Sequence, residues 1–309
     1  MTIPVTNNAA AAVVVGIDGS GPAWQALTWA AERAEATSRP LHILHADGAL
    51  SAPHGRPPKE RQIHHLCSEA IIRVRQHHPE LAITCSQPAE APIPALVGAS
   101  RTAAELVLGT RGMSAVRGAV LGSVTIEVSA TAHCPVIVVR GASANGASTG
   151  PVVVGVDGKS DSIAALDFAF EDAERRGVPL VAVYAWQLDR WDFASGIPMP
   201  GGDMRAAHAH HRARLEEALA APAARHPGVD VTTDVVCAPT AGTLAHRSNK
   251  ASLLIVGTHG HRELSGLLLG SVSQALMRRS ACPVAVVAQP HTEATGTGHR
   301  IHRTQRANA

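Results

Sequence analysis

Apolar positions along this chain follow two rhythms in alternation. "AVVVGI" (12–17) and "PVVVGV" (151–156) are short β-branched runs with no polar residue among the apolar ones. Such runs suit strands covered on both faces. Each leads into helical spacing: Trp24, Leu27, Ala30, Ala31 and Ala34 after the first, and Ala164, Leu166, Ala169 and Ala173 after the second. "LHILHA" and "LVAVYA" then read as second strands, and Ile63, Leu66, Ala70, Ile71 and Val74 mark the stripe of another helix. A third strand is predicted near 81–85 and 231–236, then a helix, then a buried fourth strand ending at Gly109 or Gly257. The fifth, "PVIVV" or "PVAVV", opens on proline. Proline donates no amide hydrogen, which predicts a strand at a sheet edge.

The whole pattern is written twice. Residues 13–46 reappear as 152–185, "AELVLGTRG" matches "SLLIVGTHG", and "AHCPVIVVRG" matches "SACPVAVVAQ". The offset is 139 residues at the first match and 148 at the glycine motif, so the second copy carries about nine extra residues, assigned to 186–204. "GASANGASTG" (141–150) reads as a flexible linker, and the weakly apolar tail after Pro290 as disordered. Two domains are expected, 11–140 and 151–290. Strand–helix alternation predicts in each a Rossmann-like α/β fold, a parallel sheet with helices on both faces. Ligands of such sheets sit beyond the carboxyl ends of the strands, where strand order reverses. Asp18 and Asp157 end the first strands and Gly109 and Gly257 the fourth, so both sets converge on one crevice per domain.

Composition narrows the classes. With 309 residues, 45% hydrophobic and 17% charged, the chain is globular and long enough for two cores. A net charge of +2 gives no argument for a nucleic-acid partner. No apolar run reaches the roughly 20 residues needed to cross a bilayer, and the first residues lack the basic region of a secretory signal. The five cysteines include no C-x-x-C pair, and their odd number suits a reducing compartment. A cytoplasmic protein is expected.

The candidate chemistry lies in one spacing. "GTRGMSAVRGAVLGSVTI" (109–126) and "GTHGHRELSGLLLGSVSQ" (257–274) share Gly, two residues, Gly, nine residues, then Gly-Ser. The residues after each Gly-Ser begin a helix, and Ser271 with Gln274 fits a capping box. A helix start presents amide hydrogens without internal partners and about half a positive charge. Glycine lets the backbone approach a bulky anion, and Ser123 or Ser271 adds a hydroxyl. Together these make a phosphate cradle. The same glycines also suit a strand end and a helix entry with no ligand; the Ser-marked pair after a loop of fixed length favours phosphate. No G-x-x-x-x-G-K-[ST] loop is present, and "VGIDGSG" has aspartate where a dinucleotide fold needs glycine.

"VVVGIDGS", the second strand "HILHA", the G-2x-G-9x-G-S loop and "HCPVIVV" resemble the universal stress protein family, from about 13 to 140 and 151 to 289. The resemblance implies a five-stranded parallel sheet of order 3-2-1-4-5 in each half and binding of ATP. It places Asp18 and Asp157 at the ribose or a phosphate-bound magnesium, and the backbone of Ala46 and Ala185 at the adenine. Gly109, Gly112, Gly122, Ser123, Val124 and Thr125 would hold the phosphates in the first half. Gly257, Gly260, Gly270, Ser271, Val272 and Ser273 would do so in the second. Gly16 and Gly155 would let the nucleotide lie close to the first strands. Arg111 adds a permanent charge that the equivalent His259 does not. The resemblance further implies a stress-response regulator with an unnamed protein partner, the two domains pairing as a pseudo-dimer and copies dimerising through fifth-strand edges. Slow ATP hydrolysis, nucleotidyl transfer, or a scaffold that binds no nucleotide are the alternatives. No general base is placed by the motifs.

Other residues tempt less. His208, His210 and His211 read as a solvated helix face rather than a metal site. Cys134 and Cys282 read as buried packing. Ser20 and Ser160 lack the G-x-S-x-G frame of a nucleophile.

Overall fold

The computed structural model describes residues 11–46, 48, 60–110, 121–141, 149–157, 161–187, 203–258 and 269–288. The expected linker, inserted segment and tail lie largely or wholly outside them. The first half runs β1 (Val13–Gly16), α1 (Gly21–Ala36), β2 (Leu41–Leu44), α2 (Glu60–Arg75), β3 (Ile83–Ser86), α3 (Pro92–Ser100), β4 (Glu105–Gly109), α4 (Ser123–Thr131) and β5 (Val136–Val139). The second runs β6 (Val152–Gly155), α5 (Asp161–Arg176), β7 (Leu180–Trp186), α6 (Asp203–Arg225), β8 (Val231–Cys237), α7 (Thr240–Arg247), β9 (Leu253–Gly257), α8 (Ser271–Arg279) and β10 (Val284–Val287).

All ten strands form one sheet, ordered β3-β2-β1-β4-β5-β10-β9-β6-β7-β8. Each half has the order 3-2-1-4-5 and is parallel throughout. The seam between halves is antiparallel, with Val138 opposite Val284, Ile137 opposite Ala285 and Val136 opposite Val286. Side chains alternate between faces along each strand. Val13 and Val15 join a core with α1, α2, α5 and α6, whereas Val14 joins one with α3, α4, α7 and α8. Helices therefore cover both faces, and each core continues across the seam.

The seam corrects two expectations. The fifth strands are not sheet edges, and the edges expected to join two copies of the chain are paired with each other inside it. Proline misled because Pro135 and Pro283 stand one residue ahead of the ladder, where their carbonyls accept from Leu106 and Leu254 at 2.9 and 3.0 Å. The paired residues Val136–Val139 are buried along their length and would leave an apolar edge if unpaired.

Cysteine pairing is a third correction. Cys67 on α2 and Cys85 on β3 are joined in a disulfide, with Cα atoms 6.3 Å apart. No motif marks this pair, because a helix–strand packing brings the residues together. Cys134 and Cys282 are buried as expected, and burial pushes their thiols up to about 12 and about 11. At neutral pH they are protonated and inert.

One buried polar group makes stability depend on pH. His42, 1% exposed, lies in β2 with Nδ1 2.8 Å from Thr84 Oγ1 and Nε2 2.8 Å from Ser86 Oγ, both hydroxyls on β3. Burial holds its imidazole below the ordinary value of 6.5. Unfolding restores that value, so the unfolded chain takes up a proton more readily once the pH falls below it. Stability from this site is therefore present above about pH 6.5 and lost as the pH falls through the lowered value. Urea unfolding between pH 7.5 and 5 should show the wild type losing stability that His42→Gln retains; parallel curves would contradict this.

Candidate functional site

Chain order reverses between β1 and β4. From β1 the chain adds β2 and β3 on one side, then returns to lay β4 on the other. Helices leaving β1 and β4 cross to opposite faces of the sheet, which opens a crevice at the carboxyl ends of these two strands. β6 and β9 repeat the arrangement.

The two helix starts beside these crevices are built alike. Gly122 N–H donates to the Thr110 carbonyl at 2.8 Å, which brings the returning loop back to the end of β4. Thr125 Oγ1, buried, donates to the Gly109 carbonyl at 2.9 Å. In the second half, Gly270 N–H donates to Thr258 at 2.8 Å and Ser273 Oγ to Gly257 at 2.8 Å. The first bond to the turn below comes from Ile126 to Gly122, and from Gln274 to Gly270. The amides of Ser123, Val124 and Thr125, and of Ser271, Val272 and Ser273, thus occupy the first turns, ahead of the intrahelical ladder. Neither helix has a side-chain cap, and neither has an acidic residue in its first turn. The positive end of each dipole thus has no capping side chain or first-turn carboxylate among the described residues.

Several expected site residues have different work in the structure. Thr125 and Ser273 spend their hydroxyls latching helix to strand, which leaves their backbone amides as their candidate donors. The capping box does not form: Gly270 is the N-cap, Ser271 is exposed in the first turn, and Gln274 Nε2 donates to the Leu269 carbonyl at 2.8 Å. Gly16 and Gly155 lie tight against core side chains. A Cβ on Gly16 would lie 2.8 Å from Leu108 Cδ2, and one on Gly155 2.8 Å from Leu244 Cδ1. Gly109 is tighter, because its Cβ would meet the backbone C and O of Pro22 at 2.7 Å. Backbone cannot yield as a leucine tip can. Gly109→Ala should therefore cost about 1–3 kcal/mol of stability and Gly16→Ala less, an order that urea denaturation would reverse if this packing were unimportant.

Asp18 follows β1, and its Oδ1 accepts from Ser20 N–H at 3.0 Å. Ser20 is the N-cap of α1, its Oγ accepting from Ala23 N–H at 3.3 Å, which accounts for a serine that only resembled a nucleophile. Asp157 occupies the same place after β6. Ala46 is buried just beyond β2, and the carbonyl of Ala185 on β7 accepts from Thr240 Oγ1 at 3.4 Å. Arg111, Gly112, His259, Gly260 and Ser160 lie outside the described residues.

Two neighbours were not anticipated. His45 Nδ1 donates to the Ile17 carbonyl at 2.8 Å and ties the end of β2 to that of β1. Its counterpart in the second half is Tyr184, which is buried and stacks on His211 with ring centroids 5.2 Å apart. His211 also packs against Trp186 at 4.6 Å, and burial followed by the charges of His210, Arg214 and His208 holds its imidazole below the ordinary range. His211 is thus an aromatic packing residue and not part of a solvated face. His208 Nε2 donates to the Val235 carbonyl at 3.1 Å, while His210 is exposed. Among the described residues no group of three or more His, Cys, Asp or Glu side chains could hold a metal ion, and no helix is long and apolar enough to cross a membrane.

Comparison with known proteins matches this chain twice to the model of the Universal stress protein family, at residues 11–140 and 149–288. Universal stress protein Rv2005c of Mycobacterium tuberculosis is 34% identical over 290 residues, covering 90% of this chain and 97% of that one. Universal stress protein Rv2623 of the same organism is 34% identical over 306 residues, covering 93% and 99%. Among solved structures, a universal stress protein from Archaeoglobus fulgidus superposes with a TM-score of 0.61 at 19% identity, covering 90% of this chain and 96% of that one.

Proposed function

Because the chain belongs to the universal stress protein family, we propose that each half binds ATP at the carboxyl ends of its first and fourth strands, as a regulatory ligand in a stress response. The supporting observation is the pair of helix starts that carry no side-chain cap and no first-turn carboxylate, set at the point where strand order reverses. First-turn backbone amides with no side-chain cap among the described residues suit the oxygens of a polyphosphate.

In this reading the amides of Ser123, Val124 and Thr125, with the Ser123 hydroxyl, receive the phosphates in the first half. Ser271, Val272 and Ser273 do the same in the second. Gly112 and Gly260, with Arg111 in the first half only, are the further residues assigned to the phosphates. Asp18 and Asp157 face the ribose or a magnesium ion on the phosphates, and Ala46 and Ala185 offer backbone atoms to the adenine. The motifs place no general base, and in this reading the nucleotide is held rather than turned over. Occupancy alters the surface that the paired halves offer to a protein partner.

Calorimetric titration of the full chain with ATP and magnesium tests this, with heat for two sites expected. A phosphate-release assay run alongside should give turnover far below the roughly 1 per second of an ordinary enzyme. Absence of heat, together with no nucleotide retained in native mass spectra of the purified chain, would overturn the proposal. Sustained turnover would move the chain to the class of ATP-hydrolysing enzymes.

A further inference from the structure

The seam between the halves has an approximate two-fold axis, and residues on such an axis meet their own counterparts. Three contacts identify it. Arg33 Nη1 donates to Asp172 Oδ1 across a separation of 139 residues, the offset between the copies in that region. Ser129 Oγ approaches Met277 Sδ at 3.8 Å across 148 residues, the offset in the later region. Ile137 faces Ala285 at the middle of the antiparallel register, at that same later offset. In each contact a residue meets its duplicate, and in each the two are different and complementary.

Charge, size and polarity are all paired this way. Arg33 is buried with its Nε and Nη2 held by Glu105 at 2.7 and 2.9 Å, which leaves Nη1 for Asp172 of the other half. Position 253, the duplicate of Glu105, is Leu253, so the second half supplies no matching carboxylate there. Were a first half to meet another first half, two guanidinium groups would face each other and two isoleucines would compete for one space. Were a second half to meet another second half, two buried carboxylates would face each other and two alanines would leave a void. Both homotypic seams are therefore penalised by repulsion and by misfit, while the seam observed satisfies each pair.

We propose that the fifth-strand seam is a heterotypic recognition surface: each half accepts the opposite half of this chain and rejects a copy of itself. The assignment holds whether or not nucleotide binds, since none of these residues lies in the crevices. It also means that further assembly of this chain uses a surface other than the fifth strands.

The intact chain can be made to carry each rejected seam. Ala285→Ile reproduces the isoleucine pair, Ile137→Ala reproduces the alanine pair, and the double exchange restores one of each. In a Glu105→Gln background, Asp172→Arg and Arg33→Asp do the same for charge, and their double exchange restores opposite signs. Each single change is expected to lower the urea midpoint, by roughly 1 M for the charge reversals. Each exchange should recover more than half of the loss caused by its two singles. A single variant that fails to fold is read through its exchange, and recovery of a folded chain supports the assignment. If both exchanges are no more stable than the summed losses of their singles, the seam is merely sensitive to mutation and the proposal is wrong. The Ile137–Ala285 cycle is independent of Arg175 and Arg176, which also approach Asp172.

Discussion

Arg33→Ala should destabilise the chain by about 3–5 kcal/mol, the range for removing one partner of a buried ion pair. Arg33 is the cation between Glu105 and Asp172, all three having side chains no more than 5% exposed. Burial alone opposes a charge on Arg33, but the two carboxylates outweigh it and hold the guanidinium above its ordinary range. Its charge is therefore constant at every pH where the chain is studied. Without it, Glu105, buried at the start of β4, loses its ion-pair partner, while Asp172 retains Arg176 at 3.4 Å and Arg175 at 3.8 Å. The loss should thus fall mainly on Glu105. Adding Glu105→Gln to Arg33→Ala ought to restore part of it, because a neutral amide is cheaper to bury than an unpaired carboxylate. Trp29 lies on the same helix with its ring centroid 5.9 Å from the guanidinium, so its fluorescence reports the local change during urea unfolding. A loss under 1 kcal/mol would show that water reaches the pair and that the burial counts for little.

Ser123→Pro and Ser271→Pro should each remove one nucleotide site and spare the fold. Proline suits the first helical position, where its missing amide hydrogen is not needed by the helix. The residue before a proline must be extended, and Gly122 at φ −78°, ψ 149° and Gly270 at φ −59°, ψ 148° already are. Each substitution deletes one amide donor and one hydroxyl from the cradle. A hydrogen bond to a charged group contributes about 1.5–3 kcal/mol, so affinity at the altered site should fall roughly 10- to 150-fold. Calorimetry would read one remaining site in each single variant and none in the double. Unchanged stoichiometry in both singles, with thermal stability intact, would remove these amides from any role in binding.

How much of this could be read from residues alone differs from element to element. The strands "VVVG" at 13 and 152 and the helix starting at Ser123 rest on local periodicity and turn chemistry, and they were legible. The close contact of Gly16 with Leu108 was not, because a glycine ending a strand shows nothing in sequence of what lies against its missing Cβ. Ser271 and Gln274 matched a capping box in spacing, but the helix was already entered through Gly270 and the glutamine turned to Leu269. Two signals for the charged cluster did stand in the sequence: Arg33 interrupts an alanine-rich apolar stripe, and Glu105 opens a strand that is otherwise apolar. Neither revealed its partner.

The amino-acid sequence alone determined the duplication, the alternation of strand and helix, and the two helix starts that form the candidate cradles. These depend on residues within a few positions of one another, where backbone geometry ties spacing to structure. Only the tertiary structure decided that β5 joins β10, that Cys67 reaches Cys85, and that Arg33 reaches Asp172 in the other half. Each of those contacts unites segments whose own periodicity is satisfied with or without the partner, so packing chose among arrangements that local pattern left equal.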